Sequence, residues 1–432
     1  MDQTIPEATK DFLSSIKPPA MVSNVEKKKY FQKMEILKSL YFQGPKSNTE
    51  ICSLFKISSP TSIRLLNSLI EEGLVKKEGR GVSIGGRKPD LYQLQEEIFF
   101  VMSIQVDQFN VRMAIFDNNN NKVAVADDIP FRMEKDINTI DSLYKIADKL
   151  IVDSGINQDN LLGIGISMPG LVSSEEGKNF TYFLADKESG SLEQILKRKF
   201  LKPVFILNDA KSACLAEFHF GLAKEKKNVL VISMDWGIGL GIIIDGKTHH
   251  GASGFAGEFG HIPLIEDGLL CHCGKRGCLE TVASGMALTR MAKEGIYLGE
   301  SSILSNKSAE EIDSIDPKSV IRAANNGDQF AINILSEIGI NLGKGIAVLI
   351  QLLNPELVII EGKFTEGRQF ITTPIQQSVN TYCMAQLREK TEISLSTLGE
   401  DSVLLGSVAA VMGNVFEKQL VKSRSLRKNI KN

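Results

Sequence analysis

His261, Cys271, Cys273 and Cys278 fall within eighteen residues of one another, in Glu258-Phe259-Gly260-His261 and Cys271-His272-Cys273-Gly274-Lys275-Arg276-Gly277-Cys278. Three thiols and an imidazole are the ligands a tetrahedral zinc ion takes, and glycines stand where the chain must bend around it. Four protein ligands leave no position for water, so the spacing predicts one structural Zn2+ per chain. Cysteine also serves as a small buried hydrophobe, and Cys52, Cys214 and Cys383 read that way. Three thiols crowded into eight residues do not. His272 is the competing imidazole, but a position between two ligand cysteines points it outward, which favours His261.

Asn208 and Asp209 directly follow the apolar run Val204–Leu207, and Glu258, His261 and Glu280 bracket the metal loop. Carboxylates, an amide and an imidazole suit a polyhydroxyl ligand, whose hydroxyls donate to one group while accepting from another. Asp209 also stands where it could cap the helix after it.

These residues need an α/β body to hold them. From Ile98 onward, apolar strands, glycine turns and helices alternate. Phe99–Val106, Val111–Phe116, Leu162–Ser167, Val204–Leu207, Asn228–Ser233 and Gly239–Ile244 read as strands. Asn118–Asn121 reads as a polar turn, and Asp141–Ser154 and Ala210–Phe218 as helices. Leu357–Ile360 reads as the last strand. The simplest assembly is two α/β lobes with a cleft between them.

Ahead of the body the texture is helical and basic. Residues 24–92 hold 13 Lys/Arg against 7 Asp/Glu, whereas the whole chain carries −2, so this module suits a polyanion. Tyr30, Met34, Leu37 and Leu40 recur at helical spacing. Ser47-Asn48-Thr49-Glu50 has capping-box spacing. Ser58-Ser59-Pro60-Thr61 opens a third helix with an Ile63, Leu66, Leu69 and Ile70 stripe. A turn of about three residues between these helices, then a basic hairpin through Gly85-Gly86-Arg87-Lys88-Pro89, predicts a winged helix-turn-helix. Ser59, Thr61, Ser62 and Arg64 are the candidates for base edges, and Arg87 and Lys88 for phosphate or the minor groove.

The expected organisation is a flexible arm over 1–23, a winged helix-turn-helix over 24–95, the body over 96–416 with its zinc loop at 261–278, and a basic tail over 417–432. No uninterrupted apolar run approaches the roughly 20 residues needed to span a bilayer. Met1-Asp2-Gln3-Thr4 begins no signal peptide. Thiolates on zinc without a disulfide framework favour a cytoplasmic protein, with no membrane partner.

The runs Gly237-Ile238-Gly239, Asp245-Gly246-Lys247, Gly251 through His261 and Cys271 through Glu280 resemble the signature of the ROK family of repressors, open reading frames and sugar kinases. Gly163 through Gly170, Ile206-Leu207-Asn208-Asp209 and Leu353-Asn354-Pro355-Glu356 are similar to it as well. The resemblance covers about 95–415, and the winged helix before it fits the regulator branch. It implies a two-lobed actin/hexokinase-like (ribonuclease H-like) fold in which Asn208, Asp209, Glu258, His261 and Glu280 line a sugar. In a kinase of the family, Asp209 would be the base that takes a proton from the attacking hydroxyl.

The sequence departs from that pattern where a nucleotide would lie. Gln105 stands in place of an aspartate, and Asp107-Gln108-Phe109 in place of a Gly-Gly-Thr turn. Asp235-Trp236-Gly237 replaces Gly-Thr-Gly, and Glu361-Gly362-Lys363 a late glycine cluster. Bulky or acidic side chains there deprive phosphates of the backbone N–H groups that would cradle them. The expectation is a sugar-responsive repressor without catalysis. Its partners are operator DNA, a sugar or sugar phosphate and its own copies in a homodimer or homotetramer, with lobe closure respacing the DNA-binding heads. The alternative is an active ATP-dependent sugar kinase carrying an added DNA-binding domain.

Overall fold

The computed structural model describes residues 23–80, 89–133, 137–182, 190–305 and 308–428. The chain divides into two units, one made of residues 1–166, 182–206 and 407–432, the other of 167–181 and 207–406.

Among the described residues, the first unit opens with the helix Asn24–Gln43, strand β1 (Lys46–Ser47) and the helices Asn48–Phe55 and Ser59–Glu71. Strands β2 (Val75–Arg80) and β3 (Asp90–Leu94) follow, and the three strands pair antiparallel in the order β1-β3-β2. This is winged-helix architecture. The second helix starts where the sequence says it must: Glu50 N–H donates to Ser47 Oγ (3.3 Å), and Ser47 N–H donates back to Glu50 Oε2 (2.7 Å). It ends at Lys56, which adopts a left-handed conformation, and Ser58 occupies the cap position of the third helix without a side-chain cap bond, with Pro60 in its first turn. The third helix buries Ser62, Leu65, Leu66 and Leu69. Ile63 is instead 42% exposed, so Leu65 replaces it in the apolar stripe.

The first helix is buried on more than one side. Met34, Leu37 and Leu40 were expected inside, but Ile36, Tyr41 and Phe42 are inside too. Tyr41 packs against Phe42, Phe99 and Phe416, with ring centroids 4.8, 6.0 and 6.1 Å away. Its hydroxyl donates to Asn120 Oδ1 (2.8 Å), and the Tyr30 hydroxyl donates to Gln419 Oε1 (2.9 Å).

The rest of this unit is a sheet of β4 (Phe100–Val106), β5 (Asn110–Asp117), β6 (Lys122–Pro130), β7 (Leu161–Met168) and β10 (Val204–Asn208), in the order β10-β7-β4-β5-β6. Asp117 Oδ1 accepts from the Asn119 and Asn121 N–H groups (2.8 Å each), closing the polar turn between β5 and β6. β6 itself was not expected. It is an edge strand with no fully buried residue, so it lacks the apolar run that marks its neighbours. The helix Ser402–Lys428 continues through the segment expected to be a tail, and Phe416, Gln419 and Leu420 are buried.

The second unit carries β11 (Val229–Met234), β12 (Ile238–Ile244), β13 (Lys247–Thr248), β14 (Leu357–Glu361) and β15 (Glu392–Leu395), in the order β13-β12-β11-β14-β15. β11 and β12 pair antiparallel, while β14 lies parallel to both β11 and β15. β15 follows the strand expected to be last; its residues are half-buried or exposed, too polar to stand out in the sequence. A short hairpin joins β8 (Val172–Ser173) and β9 (Lys178–Asn179). The helix Gln329–Leu353 is long and apolar enough to cross a membrane, but Ile334, Ile338, Leu342, Ile346 and Ile350 lie buried in the core beside Ile232, Ile360 and Phe364.

Candidate functional site

Every candidate sugar residue lies in the second unit, and glycines determine how closely the supporting elements approach. The helix Asp209–Phe220 packs directly on β12. A Cβ on Gly239 would stand 2.4 Å from that of Ala210, and one on Gly241 2.1 Å from that of Cys214. Only glycine lets the helix sit this close, and Asn208 and Asp209 stand at its start, where β10 ends.

Asn208 is the cap of this helix. Its Oδ1 accepts from Lys211 N–H (3.3 Å), and its Nδ2 donates to the Gly170 carbonyl (3.2 Å). Asp209 is therefore not the cap; its Oδ1 accepts from the N–H of Ala210 (2.8 Å). Lys211 was not anticipated as a site residue. Its ammonium donates to the Gly254 carbonyl and stands 6.0 Å over the Phe255 ring. Burial lowers its pKa, and the carboxylates of Glu258 and Asp209 push it back up. A lysine two residues into a helix reads as a solvated side chain, so the sequence gives no signal for it.

Glu258 follows Gly257, which has a φ of +98°. A Cβ on Gly257 would fall 2.0 Å from the Leu240 carbonyl oxygen, so only glycine fits there. The Glu258 side chain reaches solvent, yet the protein around it raises its pKa by desolvation. His261 and Lys211 draw it down, and Glu280 adds to the rise. Glu280 is 5% exposed. Its Oε2 accepts from Ile238 N–H (3.0 Å), while its Oε1 is buried with no hydrogen-bond partner. His272 Nδ1 lies 3.4 Å from that oxygen but out of hydrogen-bonding geometry, and His261 Nδ1 is 3.9 Å away.

His261, Cys271, Cys273 and Cys278 place their donor atoms within 4.8 Å of one another. His261 Nδ1 is 3.6 Å from Cys271 Sγ, and Cys273 Sγ is 3.6 Å from Cys278 Sγ. Ligand bonds of about 2.0–2.3 Å in a tetrahedron put donors about 3.5–3.8 Å apart, so these residues fit a metal ion. The loop holds itself by Cys271 N–H to the Lys275 carbonyl (2.8 Å) and Gly274 N–H to the Cys271 carbonyl (2.9 Å). His272 is exposed, and with His261 and Glu280 it forms a second, overlapping donor set.

At the positions expected to depart from a kinase pattern, Lys363 forms an ion pair with Asp235. Gln105 is buried, with Nε2 donating to Asp107 Oδ1 (3.1 Å) and Oε1 unpartnered. Glu361 is fully buried. Burial, against hydrogen bonds from Ser233 and Ser402, pushes its pKa up to about 7.

In the winged helix, Ser59 and Arg64 are exposed and Thr61 is half-buried. Ser62 is 0% exposed, so this candidate faces the core and cannot touch a base. Arg87 and Lys88 lie outside the described residues.

The ROK family model matches residues 101–413. This chain belongs to the ROK family. The xylose repressor of Caldicellulosiruptor bescii is 30% identical over 90% of this ROK chain and 97% of its own. The glucokinase of Halalkalibacterium halodurans is 34% identical, over 60% of this chain and 78% of its own. Among solved structures, a ROK family transcriptional regulator, a homologue of the E. coli MLC protein, superposes with a TM-score of 0.74. It is 24% identical, over 92% of this chain and 99% of its own.

Proposed function

We propose that this ROK protein is a sugar-responsive, DNA-binding transcriptional repressor of the cytoplasm, acting as a homodimer or homotetramer. The observation that carries the reading is the unpartnered Glu280 Oε1, on the same chain as a winged helix. A buried carboxylate oxygen without a donor costs about 1–3 kcal/mol, which a ligand hydroxyl would relieve. Asn208, Asp209, Glu258, His261 and Glu280 would bind the sugar or sugar phosphate. Ser59, Thr61 and Arg64 would face operator DNA, with Arg87 and Lys88 adding phosphate or minor-groove contacts. Likeness to the xylose repressor runs through the winged helix as well as the body, which supports the same reading.

Zinc is the metal that three thiolates and an imidazole favour. Four protein ligands would make it structural, fixing the backbone between His261 and Glu280. Catalysis is absent in this reading, because the Asp235–Lys363 pair and the buried carboxyl of Glu361 stand where the family pattern has glycines. Effector control requires only that the sugar bind the DNA-free and DNA-bound states with different affinity.

A thermal-shift screen of monosaccharides, amino sugars and their 6-phosphates tests this directly. One compound should raise the melting temperature, by about 2.7 kcal/mol of stabilisation at a hundredfold excess over Kd. Glu280→Gln should abolish that shift. The same compound should change affinity for a duplex from the gene's own upstream region. No shift with any compound, or a shift unaltered in Glu280→Gln, rejects the sugar site. The retained Asp209 and the glucokinase likeness favour the second reading, an active sugar kinase. ADP release with a hexose, lost in Asp209→Asn, would establish it.

A further inference from the structure

The winged helix carries a groove of about 350 Å³ lined by Lys28, Lys29, Lys56 and Arg64, with Thr61 and Val25 among the other lining residues. The cations come from three places in the chain. Lys28 and Lys29 lie in the first turns of the helix Asn24–Gln43, Lys56 in the turn before the third helix, and Arg64 on the third helix itself. Thr61 and Arg64 are one turn apart and so share a face. No carboxylate lines the groove.

Three other lysines of the same module are ion-paired. Lys33 pairs with Glu72, Lys76 with Glu96 at 2.6 Å, and Lys77 with Asp90 at 3.4 Å. Among the described residues, Lys28, Lys29, Lys56 and Arg64 form no ion pair. Four like charges gathered around one depression repel one another, and a polyanion laid along it removes that repulsion while releasing its own counterions.

We infer that this groove seats the sugar–phosphate backbone of duplex DNA, beside the base-reading face of the third helix. The inference rests on the DNA-binding reading above and extends it to residues of the first helix and the turn. Lys28, Lys29 and Lys56 contact phosphates, which carry no sequence information, so they set affinity and register and leave specificity to Ser59, Thr61 and Arg64.

The test is fluorescence anisotropy on the full-length protein with two labelled duplexes of about 40 base pairs, one from the gene's own upstream region and one of random sequence, across a salt series. The triple variant Lys28→Gln, Lys29→Gln, Lys56→Gln should weaken binding to both duplexes about equally, by about tenfold or more. Its log–log salt slope should become shallower by about 0.9 for each phosphate left unneutralised, about 2.7 for three. Lys224→Gln, which removes one exposed charge from the second unit, should leave slope and affinity unchanged. Circular dichroism checks that the triple variant is folded, and the single variants replace it where it is not. Wild-type binding with the slope retained in the groove variants overturns this inference and leaves the DNA-binding reading standing. So does a loss confined to the upstream duplex, because phosphates do not discriminate sequence. A wild-type protein that binds neither duplex at low salt rejects the DNA-binding reading and the groove together.

Discussion

Glu280 and Cys273 show how differently single residues declare themselves. The cysteines were legible because metal ligation imposes types and spacings that little else explains, and the structure gathers their sulfurs around one point. Cys273→Ser should reduce the metal from one equivalent to none by elemental analysis. It should also lower the melting temperature by several degrees, on the order of 2 kcal/mol at this chain length. One equivalent of metal in the variant would exclude Cys273 as a ligand. Glu280 was legible as a polar residue beside the loop, but not as half satisfied, because only three dimensions show Oε2 bonded to Ile238 N–H and Oε1 without a hydrogen bond. Lys211 was hidden for the opposite reason: its role comes from Gly254, Phe255 and Glu258, all more than forty residues away. Ser62 was misassigned because a serine in a helix's first turn reads the same from either side.

Among the elements, those with strong local rules were readable. The capping box at Ser47, the proline after Ser58 and the apolar runs of β4, β7 and β11 lie close to where patterning puts them. The half-exposed edge strands β6 and β15 were not, since their side chains lack a buried face to advertise. Glycines in the site loops separate strain from collision. Gly257 combines a φ of +98° with the Leu240 carbonyl oxygen 2.0 Å from where a Cβ would sit; Gly246 has a φ of +70° and open space. Gly246→Ala should cost about 1 kcal/mol, and Gly257→Ala about 3 kcal/mol or more with loss of the sugar-induced thermal shift. Equal melting temperatures for the two variants would show that the loop before Glu258 yields without resistance.

Across the whole molecule, stability against pH integrates its buried acids. Glu361 has a folded pKa of about 7 against an unfolded value of 4.5, and burial raises Glu217 in the same direction. A raised acid holds its proton in the folded state after the unfolded chain has released it. Its contribution is therefore complete below about pH 4.5 and is lost as pH climbs towards 7. Glu361→Gln keeps the neutral form at every pH. It should match the wild type near pH 5 in denaturant titrations and exceed it near pH 8, by about 2–3 kcal/mol. A constant difference across that range would remove Glu361 as the source. The division of the chain was only partly readable: β4 begins where the texture changes near Ile98, but the winged helix falls in one unit with that strand, and the long helix to Lys428 with its buried Gln419 was not foreseen.

The seating of the first helix bears on how such regulators diversify. Tyr30, Tyr41 and Phe42 hold the winged helix, the proposed DNA-reading head, against Phe99, Asn120, Phe416 and Gln419. A recombination event that joined this head to a foreign body would strand those aromatic rings in water and leave their hydroxyls mismatched. New operator specificities in this lineage should therefore arise by substitution on the head's outer face more readily than by exchange of whole heads, unless the seat travels with them.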